Sequence, residues 1–134
     1  MEYNEKLYPI VRMDSIRLVL AIVASNKWEV HHINVKSAFP HGDLEEEIYM
    51  RQPEGYTEYS SFVCKLGNYL YGIKQAPRAW YAKMDSFLLA WYAKKSERCK
   101  FDCNVYMEHN GGFLLLIVLY VDDLLITGGR SSHP

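Results

Sequence analysis

The chain has no excess of charge of either sign: 15 Lys and Arg stand against 16 Asp and Glu in 134 residues. A free-standing nucleic-acid binder usually carries a basic surplus, so any grip on phosphate has to come from local patches. Cysteine is scarce and odd in number, at Cys64, Cys99 and Cys103, and no secretory leader opens the chain. That argues against a disulfide framework and for reduced thiols in an intracellular compartment. Cys99 and Cys103 with His109 do not match the usual spacing of a zinc site, so free, half-buried thiols are expected. No apolar run reaches the roughly 20 residues that a membrane span needs. Internal repeats, low-complexity tracts and interdomain linkers are also missing, which leaves one domain over residues 1–134. With 49% hydrophobic and 14% aromatic residues, disorder throughout is excluded. A chain of this length buries roughly two-thirds of its unfolded surface.

What the sequence does have is a nine-residue apolar or aromatic run, 113–121, that meets Asp122-Asp123 and continues as Leu124-Leu125-Ile126-Thr127. Glycine pairs, Gly111-Gly112 and Gly128-Gly129, bracket the whole. The pattern predicts two strands with the acidic pair at the tight turn between them, both carboxylates at one hairpin end. Desolvating adjacent carboxylates costs free energy unless a cation or another partner offsets it. Adjacent carboxylates suit a hard, oxygen-preferring ion such as Mg²⁺. In two-metal phosphoryl transfer such ions activate the attacking hydroxyl and stabilise the leaving oxygen, usually with a further carboxylate from another strand. From pattern alone, metal-dependent chemistry and a plain exposed acidic turn fit equally well.

Elsewhere the signals alternate between helix and strand. Asp14 is placed to cap a helix whose Ile16, Val19, Leu20 and Val23 form one apolar face, with Asn26 as its stop. Residues 28–39 read as a strand then a turn, and Pro40-His41-Gly42-Asp43 as a breaker. Glu45-Glu46-Glu47 reads as a solvated charge run, 48–50 and 62–66 as short strands, and 52–61 as a polar loop. Pro77 suits the first turn of a helix in which Trp80, Met84, Phe87, Leu88 and Trp91 form a stripe expected to pack in the core. Lys94, Lys95, Arg98 and Lys100 make a basic cluster, most simply a solvated surface. Irregular mixing of strands and helices predicts an α+β domain with a small, largely antiparallel sheet packed against two or more helices.

These motifs together resemble a known family. Tyr120-Val121-Asp122-Asp123 is similar to the YxDD box of reverse transcriptases. Three longer stretches resemble the copia-type retrotransposon polymerase: 35–39 (Val-Lys-Ser-Ala-Phe), 42–50 with Gln52-Pro53, and 70–81 (Leu-Tyr-Gly-Ile-Lys-Gln-Ala-Pro-Arg-Ala-Trp-Tyr). Asp102, Asn104-Val105-Tyr106 and the closing Leu124-Leu125-Ile126-Thr127-Gly128 fit as well, so the likeness runs in order from about Pro9 to Gly129. It implies a polymerase palm in which a primer 3′-hydroxyl attacks the α-phosphorus of a dNTP on an RNA or DNA template under two Mg²⁺ (or Mn²⁺) ions. Carried over position by position, Asp122 is the bridging metal ligand, Asp123 its acidic neighbour and Val35 a backbone-carbonyl ligand. Phe39 is the ring that crowds the sugar 2′ position, Gln75 lies by the incoming nucleotide, and Lys74 and Arg78 are weak nucleic-acid contacts. The implied location is a cytoplasmic virus-like particle or the nucleus, with the remaining Pol polyprotein parts as partners.

Two departures stand out. The family's first catalytic carboxylate lies five residues before the gate phenylalanine, where this chain has Asn34. A neutral amide is a weak Mg²⁺ partner and leaves two cations short of one compensating charge. Pro40-His41 and Ala90-Trp91-Tyr92-Ala93 also differ from the family's usual residues. The second departure is extent: the likeness covers late fingers and palm, with most of the fingers, the thumb and RNase H absent. Three expectations follow: a polymerase fragment without useful catalysis, a module active only with other chains, or a non-catalytic RNA- or protein-binding module. Marginal folding is expected too, with 113–121 the most aggregation-prone stretch.

Overall fold

The computed structural model describes residues 9–56, 59, 61–92 and 96–130. Its contacts divide the chain into two compact units, 1–36 with 84–134, and 37–83. The elements are α1 (Met13–Asn26), β1 (Val30–Asn34), β2 (Tyr49–Arg51), β3 (Val63–Lys65), α2 (Ala76–Tyr92), β4 (Ser96–Cys99), β5 (Asp102–Asn110), β6 (Phe113–Tyr120) and β7 (Asp123–Arg130). The expected α+β class holds, with a five-stranded antiparallel sheet, a two-stranded one and two helices among the described residues.

The first unit is built on the sheet β1-β7-β6-β5-β4. Asn110 pairs with Phe113 across Gly111-Gly112, whose φ angles of 57° and 81° are what a tight two-residue hairpin asks of its central residues. Tyr120 pairs with Asp123 across Val121-Asp122, so the acidic pair does sit at the strand-to-strand turn. Residues Val105, Val118, Leu125 and His32 form one cross-strand row. The α1 face covers the apolar part of this sheet face: Val105, Leu116 and Val118 pack with Val11 and Val19, flanked by Ile16, Ile22, Val23, Trp28 and Leu125. On the opposite face Ile117, Leu119 and Leu124 are buried, and the Tyr106 hydroxyl donates to Asp85 of α2 at 2.7 Å. Strand β6 is therefore interior, paired on both edges, with Leu116 to Leu119 all buried.

Several details differ from the sequence reading. Asp14 does not cap α1; Arg12 is the N-cap without a side-chain bond, and its backbone N–H donates to the Asp102 carboxylate at 2.8 Å. Asp14 lies in the first turn instead, where negative charge suits the helix dipole. The packed face centres on Val19, which leaves Leu20, about 100° further round, half exposed while Ile22 packs. The helix ends at Asn26 as expected, and Lys27 takes a left-handed φ of 54° that lets Trp28 N–H reach the Val23 carbonyl. Gly128 and Gly129 lie inside β7 rather than beyond it. A Cβ at Gly128 would stand 2.6 Å from the Leu114 carbonyl oxygen, and one at Gly129 would strike the Trp28 indole. On α2, Trp80, Met84 and Leu88 are buried, but Phe87 and Trp91 are exposed and pair with each other at 5.8 Å.

The second unit holds the β2–β3 pair, with Tyr49 opposite Lys65 and Arg51 opposite Val63. Residues Phe39–His41 form a 3₁₀ turn led by Pro40, and Gly42 after it lies against Ala79 and Trp80 so closely that a Cβ would meet the Trp80 nitrogen at 3.0 Å. The Gln52 amide donates to the Tyr59 and Phe62 carbonyls, which fixes the described part of the 52–61 loop. The glutamate run is exposed as expected, with Glu47 ion-paired to Lys65. Of the basic cluster, Lys94 and Lys95 lie outside the described residues, while Arg98 pairs with Asp85.

Candidate active site

The end of the sheet nearest the Val121-Asp122 turn collects the polar residues. Asn34 closes β1 directly opposite Asp123, the first residue of β7, and the Asn34 Nδ2 donates to Asp123 Oδ1 at 3.0 Å. His32, two residues earlier and hence on the same strand face, places Nε2 2.9 Å from that same oxygen. A carboxylate only accepts, so the imidazole carries its proton on Nε2 in this bond. The Val35 N–H donates to the Asp122 carbonyl at 2.8 Å and carries the ladder into the turn. Val121 has φ 54°, a left-handed conformation that β-branched residues rarely adopt. The strain falls beside the acidic pair, where such outliers tend to mark function. Asp122 and Asp123 are both half-buried, and the Asp122 carboxylate makes no hydrogen bond among the described residues.

The Asn34 bond, and after it the His32 bond, hold the Asp123 carboxyl below its usual range, against a small opposing push from burial. A depressed folded value stabilises the fold above the ordinary aspartate pKa of about 3.9, and that stabilisation is lost as pH falls through the lowered value. Urea midpoints measured against pH are therefore expected to drop below about pH 4, and Asn34→Ala is expected to flatten that drop. A pH dependence unchanged by Asn34→Ala would contradict the assignment.

The remaining residues singled out from the sequence belong to the second unit. The Phe39 ring is half-buried and packs on Tyr71, with centroids 4.5 Å apart and planes at 43°. The Gln75 amide donates to Glu46 at 3.3 Å, and Lys74 and Arg78 are exposed. The structure thus brings Asn34, Val35, Asp122 and Asp123 together at one sheet end, and Phe39 and Gln75 are each anchored by neighbours within their own unit.

The family model for reverse transcriptase (RNA-dependent DNA polymerase) matches residues 1–133. The chain belongs to the reverse transcriptase family. It is 47% identical over 132 residues to the retrovirus-related Pol polyprotein from transposon TNT 1-94 of Nicotiana tabacum, covering 96% of this chain. It is 36% identical over 134 residues to the Pol polyprotein from transposon RE1 of Arabidopsis thaliana, and 35% identical over 133 to that from RE2, covering 98% of this chain in each case. The chain spans 10% of the TNT 1-94 polyprotein and 9% of each of the other two. No solved structure matches. The family copia-type Pol resemblance read from the motifs is thereby shown.

One residue at this sheet end carries no signal in the sequence. His32 falls within the strand predicted over 28–39, and only its spacing of two from Asn34 could place it beside the acidic turn. The side chains present do not fit a two-cation centre. Among the described residues no group of three or more His, Cys, Asp or Glu side chains converges. The position facing Asp123 holds an amide whose nitrogen, a poor metal ligand, is the atom turned towards the carboxylate.

Proposed function

We propose that this chain is a palm segment of a copia-type reverse transcriptase that has lost nucleotidyl transfer of its own. Asn34, set opposite Asp123 with its amide nitrogen on the carboxylate, is the observation that carries this reading. In the family that position supplies a carboxylate, and its replacement removes one negative ligand where Mg²⁺ or Mn²⁺ would be held. Losing an outer partner of a metal site costs about 10–100-fold in affinity or activity, and losing a direct ligand costs more. Asp122 keeps the position of the bridging ligand and Val35 that of the carbonyl ligand. Phe39 and Gln75 keep the positions that face an incoming dNTP, with Lys74 and Arg78 towards a template-primer. Those substrates, and the rest of a Pol polyprotein, are the partners the reading implies. The three half-buried free cysteines support a reducing, intracellular setting, and no helix among the described residues is long and apolar enough to cross a membrane.

Primer extension tests the proposal. The purified chain, given an annealed template-primer, dNTPs and Mg²⁺ or Mn²⁺, is expected to incorporate nothing measurable. Robust incorporation that Asp122→Ala abolishes would overturn it.

A further inference from the structure

We propose that Asn34 and His32 do the work of a cation at this sheet end: their N–H groups converge on one oxygen of Asp123 and fasten β1 to β7 beside the Val121-Asp122 turn as a hydrogen-bonded clasp that needs no divalent metal. The inference rests on the reading of this turn as the polymerase's acidic hairpin. The geometry is specific. Asn34 faces Asp123 in direct cross-strand register, His32 reaches it diagonally, and Val35 N–H holds the Asp122 carbonyl. Each carboxylate oxygen has two lone-pair positions, so two donors on Oδ1 saturate it. Both donors come from one strand and all of their acceptor from the next, so the clasp fastens β1 to β7 at the point where the sheet would otherwise fray. Hydrogen bonds to a charged acceptor are the stronger kind. An aspartate at position 34 could not donate; two facing carboxylates would repel until a cation came between them. Asparagine therefore does more than remove a ligand. It exchanges a metal-dependent closure for one made by the protein.

The test is thermal unfolding of the full chain and three variants, Asn34→Ala, Asp123→Ala and the double substitution, each with and without millimolar Mg²⁺ or Mn²⁺. The clasp predicts a wild-type Tm that either cation leaves unmoved. Each single variant is expected to lose about 3–6 °C, and the double variant to lose little more than the larger single loss, since both remove the same bond. A wild-type Tm that rises with cation, or single shifts that add, would overturn the clasp. Should Asp123→Ala fail to fold, the wild type alone decides through its Asn34 side-chain amide NMR signals. They are expected to keep their position and width when Mn²⁺ is added, and broadening at low Mn²⁺ would overturn the proposal. Failure of the inactive-polymerase reading is a separate result: primer extension by the wild type would overturn the loss of catalysis while leaving the coupling and the cation response as measured.

Discussion

Asn34→Asp is expected to raise Mn²⁺ affinity by more than about tenfold over the wild type, by the usual scale of metal-site losses run in reverse. The substitution replaces one heavy atom, the amide nitrogen by a carboxylate oxygen, at a position already in register with Asp123. Without cation the variant should be less stable, because a second negative charge then faces Asp123 about where Asn34 Nδ2 now lies at 3.0 Å. Two charges about 4 Å apart interact by about 1 kcal/mol in water and more where solvent is partly excluded. Adding Mn²⁺ should reverse that loss. If family chemistry is otherwise intact, nucleotide incorporation should appear in the same variant and vanish in Asn34→Asp/Asp122→Ala. Isothermal titration with Mn²⁺ and a primer-extension gel read both effects. A variant whose Mn²⁺ affinity equals the wild type's would show that the missing carboxylate is not what limits cation binding.

Leu119→Ala is expected to cost about 2–5 kcal/mol of folding free energy, the range for emptying a well-packed core site. Leu119 is 1% exposed on the interior strand β6, opposite Leu124 of β7 and on the sheet face away from α1. Its backbone carbonyl also accepts the Asn104 side-chain amide at 3.3 Å, while that same amide holds the Pro9 carbonyl at 2.8 Å. Strand position and terminal segment are therefore tied through one buried residue. A domain stable by about 5–15 kcal/mol loses a large share in that one step. Phe113→Ala, at the exposed end of the same strand, is the control and should cost under about 1 kcal/mol. Urea denaturation of the two variants side by side gives the comparison. Equal losses would mean that β6 does not bury its middle as described.

Much of the first unit was legible because its signals are local. A glycine pair, an apolar run and an acidic pair in sequence specify the β6–β7 hairpin from within twenty residues. The start of α1 was not legible, since the group that holds Arg12 N–H is Asp102, 90 positions away. The glycines of β7 misled for the same kind of reason. Gly128 and Gly129 are small because the Leu114 backbone and the Trp28 ring press on them, which no local pattern announces. Phe87 and Trp91 share the period of the buried Trp80, Met84 and Leu88, yet they stay exposed and pair with each other. The special standing of Asn34 came from the family resemblance alone; read as a bare residue, an asparagine at a strand end is unremarked. Its bond to Asp123 belongs to the fold.

Strand β1 borders the sheet, and its five residues are all exposed. Because Val35 turns its N–H inward to Asp122, the alternation of an antiparallel ladder turns the amides of Ile33 and His31 inward as well. Those of Val30, His32 and Asn34 then face water. Solvent deuterons should therefore enter β1 at every other amide, and the two residues that bond Asp123 through their side chains keep their own backbone N–H groups on the unguarded margin.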